Sequence, residues 1–146
     1  ETINTLSMMC LADALDSLEW IQEIGGLNAT ISRVNKNFDI LQNWLDRQDW
    51  VENLVKVEDH RSTTSVCINI VDAQFLSLSE ERKRQFIGYL ADLLEREAVA
   101  YDIVGHKEAP PSLRIWCGTT VENNDLLNML PWLQWAFENS KLEFDL

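Results

Sequence analysis

Hydrophobic positions recur along this chain at helical spacing in four places. Met8, Leu11, Leu15 and Leu18 fall at steps of three and four, which predicts a helix with one apolar face, read here as core packing. Gly25-Gly26 stops it, because glycine accepts the left-handed conformation that ends helices. Ile31, Val34, Phe38, Leu41 and Leu45 make a second stripe, with Trp44 and Trp50 as packing anchors near its end. A third helix carries Phe86, Leu90, Leu93 and Glu97 in line, with Leu94 beside them, and ends near Ala98. Its start is marked by Ser77 and, three residues on, Glu80, a capping-box signature. Its charge run Glu80-Glu81-Arg82-Lys83-Arg84 reads as a solvated face. The last helix opens at Thr120 and buries Leu126, Leu130, Leu133 and Phe137; Pro131 inside it should kink or restart it. Residues 140–146 read as a tail.

Alternation of period two marks the strands. Thr63 to Val71 is rich in β-branched residues, with Val66, Ile68 and Ile70 on one face and Cys67 and Asn69 on the other. Residues 51–61 suggest a short strand or an irregular connection, and 100–104 a further short strand. From Leu113 the chain alternates again: Leu113, Ile115 and Cys117 face one way, Arg114 and Trp116 the other. The pattern predicts an α/β fold, a two-layer sandwich in which helices cover a small mixed sheet of about three strands. Strands 66–71 and 100–104 would form a right-handed parallel crossover if they pair in parallel. Strands 100–104 and 113–117 should be antiparallel neighbours.

The loop between those two strands changes the picture from packing to chemistry. Gly105 and Pro110-Pro111 punctuate it, and it offers His106 and Lys107 just before Arg114. An arginine in an apolar strand must meet an anion, since an unpaired buried charge is costly. Two readings are open on these residues alone: an internal salt bridge with a solvated histidine, or half of a site for an anionic ligand.

Composition narrows the classes. A length of 146 residues is one domain able to bury a core. A net charge of −12 argues against nucleic acid or an anionic membrane as partner. No apolar run is long enough to span a bilayer. The start has neither a basic nor an apolar region of a signal peptide, and no initiator Met, which suggests a fragment or a processed chain. Three cysteines far apart fit buried thiols in a reducing cytoplasm. Two histidines are too few for most zinc sites, so no metal is expected. A Cys–His pair with Cys67 or Cys117 is possible on paper, but both lie in apolar strands. No phosphate-cradling glycine loop, nucleophile elbow or desolvated lysine is found. As a self-contained enzyme the chain looks incomplete.

Three segments together resemble one family. Gly105-His-Lys-Glu-Ala-Pro-Pro-Ser-Leu-Arg-Ile-Trp-Cys-Gly118, Arg61-Ser-Thr-Thr-Ser-Val-Cys67 and Thr2-Ile-Asn-Thr5 are similar, in order and spacing, to the C-terminal part of bacterial-type phosphoserine aminotransferases. The resemblance covers nearly the whole chain. It implies a pyridoxal 5'-phosphate enzyme of the aspartate aminotransferase fold type, working as a cytoplasmic homodimer with active sites at the subunit interface. Residues 1–25 would be an interdomain segment and linker helix from a large cofactor domain, and 26–146 the small C-terminal domain. The family's Schiff-base lysine lies in the large domain, so no catalytic residue is expected here and the chain alone should be inactive.

The reaction so implied moves the amino group of L-glutamate to 3-phosphohydroxypyruvate, giving O-phospho-L-serine. By the same resemblance, Arg114 binds the substrate α-carboxylate, to which a guanidinium offers two parallel hydrogen bonds. His106 lies near the substrate phosphate or the distal carboxylate of glutamate. Lys107 stands where the family often has arginine. Asn4 and Thr5 reach the cofactor phosphate of the neighbouring subunit, although Leu6 departs from the proline that follows them in the family. Arg61 reads as structural. The alternatives are a stand-alone regulatory module binding a small anion or amino acid, and a purely structural interaction domain.

Overall fold

The computed structural model describes residues 7–146. The helices α1 (Met8–Glu23) and α2 (Gly26–Leu45) form a hairpin. Strand β1 (Val51–Asn53), a 3-10 turn (Glu58–His60) and strand β2 (Ser65–Ile70) follow. Then come α3 (Ala73–Leu76), α4 (Glu80–Arg96), β3 (Leu113–Trp116) and α5 (Asn123–Glu143). The chain is thus an α/β fold with a three-stranded sheet in the order β1-β2-β3.

The sheet is antiparallel throughout, not mixed. Val51 pairs with Ile70, Ile68 with Leu113 and Val66 with Ile115. This register puts the buried residues Val51, Val66, Ile68, Ile70, Leu113 and Ile115 on one face. Glu52, Cys67, Asn69, Arg114 and Trp116 share the other, as the period of two requires. The expected crossover between 66–71 and 100–104 does not exist, because 100–104 is no strand. Asp102 stands at φ 52°, in the left-handed region where no strand continues. Only one bridge, Val104 to Leu113, keeps the antiparallel neighbourhood.

The core joins the buried face of the sheet to α2, α4 and α5. Trp50 stacks on Phe137 at 3.9 Å between ring centroids, with Trp44 edge-on to Trp50. Phe86 meets Phe75, Phe137 and Phe144 edge-on. All four residues of the expected α5 stripe are buried, and the helix runs through Pro131 without restarting. Residues 140–146 are not a tail: Ser140 is fully buried, and Phe144 and Leu146 pack against the core. The cap of α4 is Ser79, whose hydroxyl accepts from Arg82 N–H, whereas Ser77 ends α3; the capping pair Ser77/Glu80 is therefore two residues out of register.

One expected packing face stays open. No residue of α1 is buried, and Met8, Leu11, Leu15 and Leu18 are all exposed. Its spacing is helical as read, but nothing in the described residues covers its apolar side. Among the described residues no helix is long and apolar enough to cross a membrane.

Asp72 ties two ends of the fold together. Its carboxylate accepts from Gln74 and Phe75 N–H at the start of α3, and Lys141 of α5 donates to it at 3.0 Å. Burial pushes this carboxyl up, but the Phe75 and Gln74 N–H groups and the Lys141 ammonium outweigh it and hold it below its ordinary value. A lowered folded pKa stabilises the fold above the unfolded pKa of about 4, and that contribution is lost as the pH falls through the folded value. Asp72→Asn should therefore cost about 1 kcal/mol at neutral pH. The gap to the parent should shrink in urea titrations repeated below about pH 4.

Candidate functional site

Arg114 sits on β3, which is hydrogen-bonded to β2 on one side and held on the other by Arg114 N–H donating to Ile103 O at 2.7 Å. Its side chain therefore springs from backbone fixed at both edges. The side chain is 40 % exposed and neither locked in the core nor fully solvated. It opens on a cleft of about 570 Å³ where residues 99–103, β3 and the first turns of α5 meet. Tyr101, Asp102, Trp116, Asp125 and Met129 line the cleft with it. Arg114 Nη2 donates to Asp102 Oδ2 at 3.0 Å. Arg114 thus has an acid partner and also faces an open cleft.

The loop that leads into β3, 105–112, is tightly closed. Gly105 N–H donates to Ser112 O at 2.8 Å, and Ala109 N–H to His106 O at 2.8 Å. A Cβ at Gly105 would run into the Ser112 hydroxyl and carbonyl, so the closure needs glycine. His106 is exposed, and its Nδ1 accepts from Glu108 N–H at 3.2 Å. Lys107 is also exposed and lines a second, smaller cavity of about 250 Å³, with Arg84, Gly105, Pro110, Pro111 and Ser112. Arg114 and Lys107 therefore face different cavities. Asn4 and Thr5 lie outside the described residues.

Two residues of this region escaped the sequence reading. Arg84, placed in the solvated charge run of α4, donates to Ala109 O at 3.0 Å and lines the Lys107 cavity. A basic residue one turn before the buried Phe86–Ile87 pair was the available signal. Asn37 is fully buried and holds the turn after β3: its Nδ2 donates to Val121 O at 2.9 Å and to Gly118 O at 3.3 Å, and its Oδ1 accepts from Asn123 at 2.6 Å. Arg33 reinforces this turn by donating to Thr119 O at 2.9 Å and pairing with Glu122.

Other candidates are inert. Arg61 donates to Val55 O at 2.9 Å and Lys56 O at 3.3 Å and so pins its own loop. Burial pushes the Cys117 thiol up to about 12, which keeps it protonated and unreactive at neutral pH. Among the described residues no group of three metal-ligating side chains converges.

No protein-family model matches the chain. It is 39% identical over 137 residues to the phosphoserine aminotransferase of Methanosarcina mazei (strain Goe1), covering 94% of this chain and 34% of that protein. The phosphoserine aminotransferase of Methanosarcina barkeri (strain Fusaro) is 39% identical over 136 residues, with 93% and 34% covered. The chain thus spans about a third of the length of the curated relatives it matches. Among solved structures it is similar to a phosphoserine aminotransferase from Bacillus circulans subsp. alkalophilus, with a TM-score of 0.73, 20% identity, and coverage of 93% of this chain and 34% of that one. At that identity the likeness speaks for the fold.

Proposed function

We propose that this chain, which belongs with the phosphoserine aminotransferases along about a third of their length, is the small C-terminal domain of such an enzyme, with 1–25 the segment that joins it to the large domain. The whole enzyme would be a cytoplasmic homodimer moving the amino group of L-glutamate to 3-phosphohydroxypyruvate. The observation that carries this reading is Arg114: a half-exposed guanidinium on doubly held backbone, opening on a cleft. A rigid planar fork of that kind suits the α-carboxylate that both substrates share.

The described residues do not form a pyridoxal phosphate site by themselves. The cleft carries one cation against two acids, and no lysine lines it. A phosphorylated cofactor needs more positive charge than that, so its binding and the chemistry it supplies belong to residues other than those that line this cleft. What the chain itself offers is orientation: Arg114 grips the carboxylate, and Trp116 and Tyr101 wall the cleft. Lys107 and His106 point a different part of the surface at anions, and Lys107 lines a cavity of its own. That separation favours sites shared between two subunits, with the 105–112 loop serving the neighbour. The uncovered apolar side of α1 counts against a stand-alone anion-binding module.

The test is a chimaera. This chain replaces the corresponding third of the Methanosarcina mazei enzyme, and O-phosphoserine formation is followed with both substrates and added pyridoxal phosphate. The chimaera should turn over, and the 146-residue chain alone should give no product. A folded, dimeric chimaera without activity, or turnover by the isolated chain, would refute the proposal.

A further inference from the structure

The cleft is electrostatically unsuited to its own ligand. Arg114 is its one cation among the lining residues, and Asp102 and Asp125 line it too. Asp102 is not a distant neighbour but the direct partner of the guanidinium, with a single oxygen at 3.0 Å from Nη2. The backbone puts it there: Arg114 N–H is bonded to Ile103 O, so the residue before Ile103 is carried up beside the arginine. Asp102 does so at φ 52°, a conformation that only Asn, Asp and Gly adopt readily.

We infer that Asp102 is an internal substitute for the substrate carboxylate, holding the Arg114 guanidinium until a free carboxylate displaces it. This rests on Arg114 being the carboxylate clamp. The chemistry of the two groups is the same: one negative charge and acceptor oxygens matched to a guanidinium edge. The contact is one-pronged, whereas an incoming carboxylate can take both prongs. Asp102 is also 88 % exposed, and no other hydrogen bond of its side chain is found among the described residues. It can therefore leave for water at small cost, because exposed pairs are weak. Asp102 acts as a specificity-determining residue: ligands whose carboxylate engages only one nitrogen compete poorly with it, and those that engage the whole fork compete well.

The experiment reads Arg114 itself in the 146-residue chain. Its side-chain Nε–H resonance, assigned by its loss in Arg114→Lys, is followed during titration with acetate at constant ionic strength. Asp102→Asn keeps the size, an acceptor oxygen and tolerance of the left-handed backbone, and removes the charge. It should tighten acetate binding about two- to fivefold, and Asp102→Glu should restore the weaker binding. Equal affinity in parent and Asp102→Asn overturns the inference and leaves the carboxylate role of Arg114 standing. Weaker binding in Asp102→Asn overturns it in favour of a supporting role for the acid. No shift of the Arg114 resonance in any variant overturns both this inference and the clamp it rests on.

Discussion

Arg114→Ala, built into the Methanosarcina chimaera, lowers kcat/KM for glutamate and for 3-phosphohydroxypyruvate together, by about 100- to 1,000-fold. The same change moves the thermal midpoint of the isolated chain by no more than a few degrees. The two effects separate because they come from different states. In the free protein Arg114 is 40 % exposed and its partner Asp102 is 88 % exposed, so their ion pair contributes at most about 1 kcal/mol. If substrate covers the guanidinium as the proposed function requires, losing it strands the substrate carboxylate without a counter-charge. Arg114→Lys restores the charge but not the fork, and should recover only part of the activity. Steady-state kinetics with each substrate, beside a thermal melt of each variant, make the comparison. Unchanged kcat/KM in a folded Arg114→Ala chimaera removes Arg114 from the site.

Asn37→Leu has the largest expected effect on stability, a loss of about 2–3 kcal/mol. Asn37 sits in α2 with no exposed surface, and it reaches across to the carbonyls of Gly118 and Val121 while accepting from Asn123. Leucine fills a similar volume, so the cost comes from stranded partners rather than from a cavity. The carbonyls lose their donor and the Asn123 amide loses its acceptor, each in a place water reaches poorly. Urea denaturation of the 146-residue chain measures it as a lower midpoint with unchanged slope. The turn so released carries Val121, which lines the Arg114 cleft, so the variant should also loosen that wall.

The residues that were legible in the sequence are those whose role is set by local period. Alternation placed Arg114 and Trp116 on the face opposite Leu113 and Ile115, and the register confirms that division. The stripe Leu126, Leu130, Leu133, Phe137 is buried as read. Period, however, says which side of a helix is apolar and not what it meets, so the face of α1 was mistaken for core. The 100–104 segment has strand-like residues, but a single left-handed residue at Asp102 breaks the ladder, and its side chain pairs with Arg114 instead. Asn37 was invisible for a different reason. A polar residue on a helix looks solvated until its partners are known, and these lie more than eighty residues away. Arg84 was hidden in a charge run, whose period gives no sign that one member reaches back to a loop carbonyl.

The bare flank of α1 has a practical consequence. Met8–Glu23 carries Asp13, Asp16, Glu19 and Glu23 with no basic residue, in a chain of net charge −12. Copies of the isolated chain are therefore kept apart by mutual repulsion while their greasy sides invite contact. That repulsion reaches about 10 Å at 0.1 M salt and about 3 Å at 1 M. Concentrated brine, which usually calms a sticky charged protein, should instead bring this one out of solution.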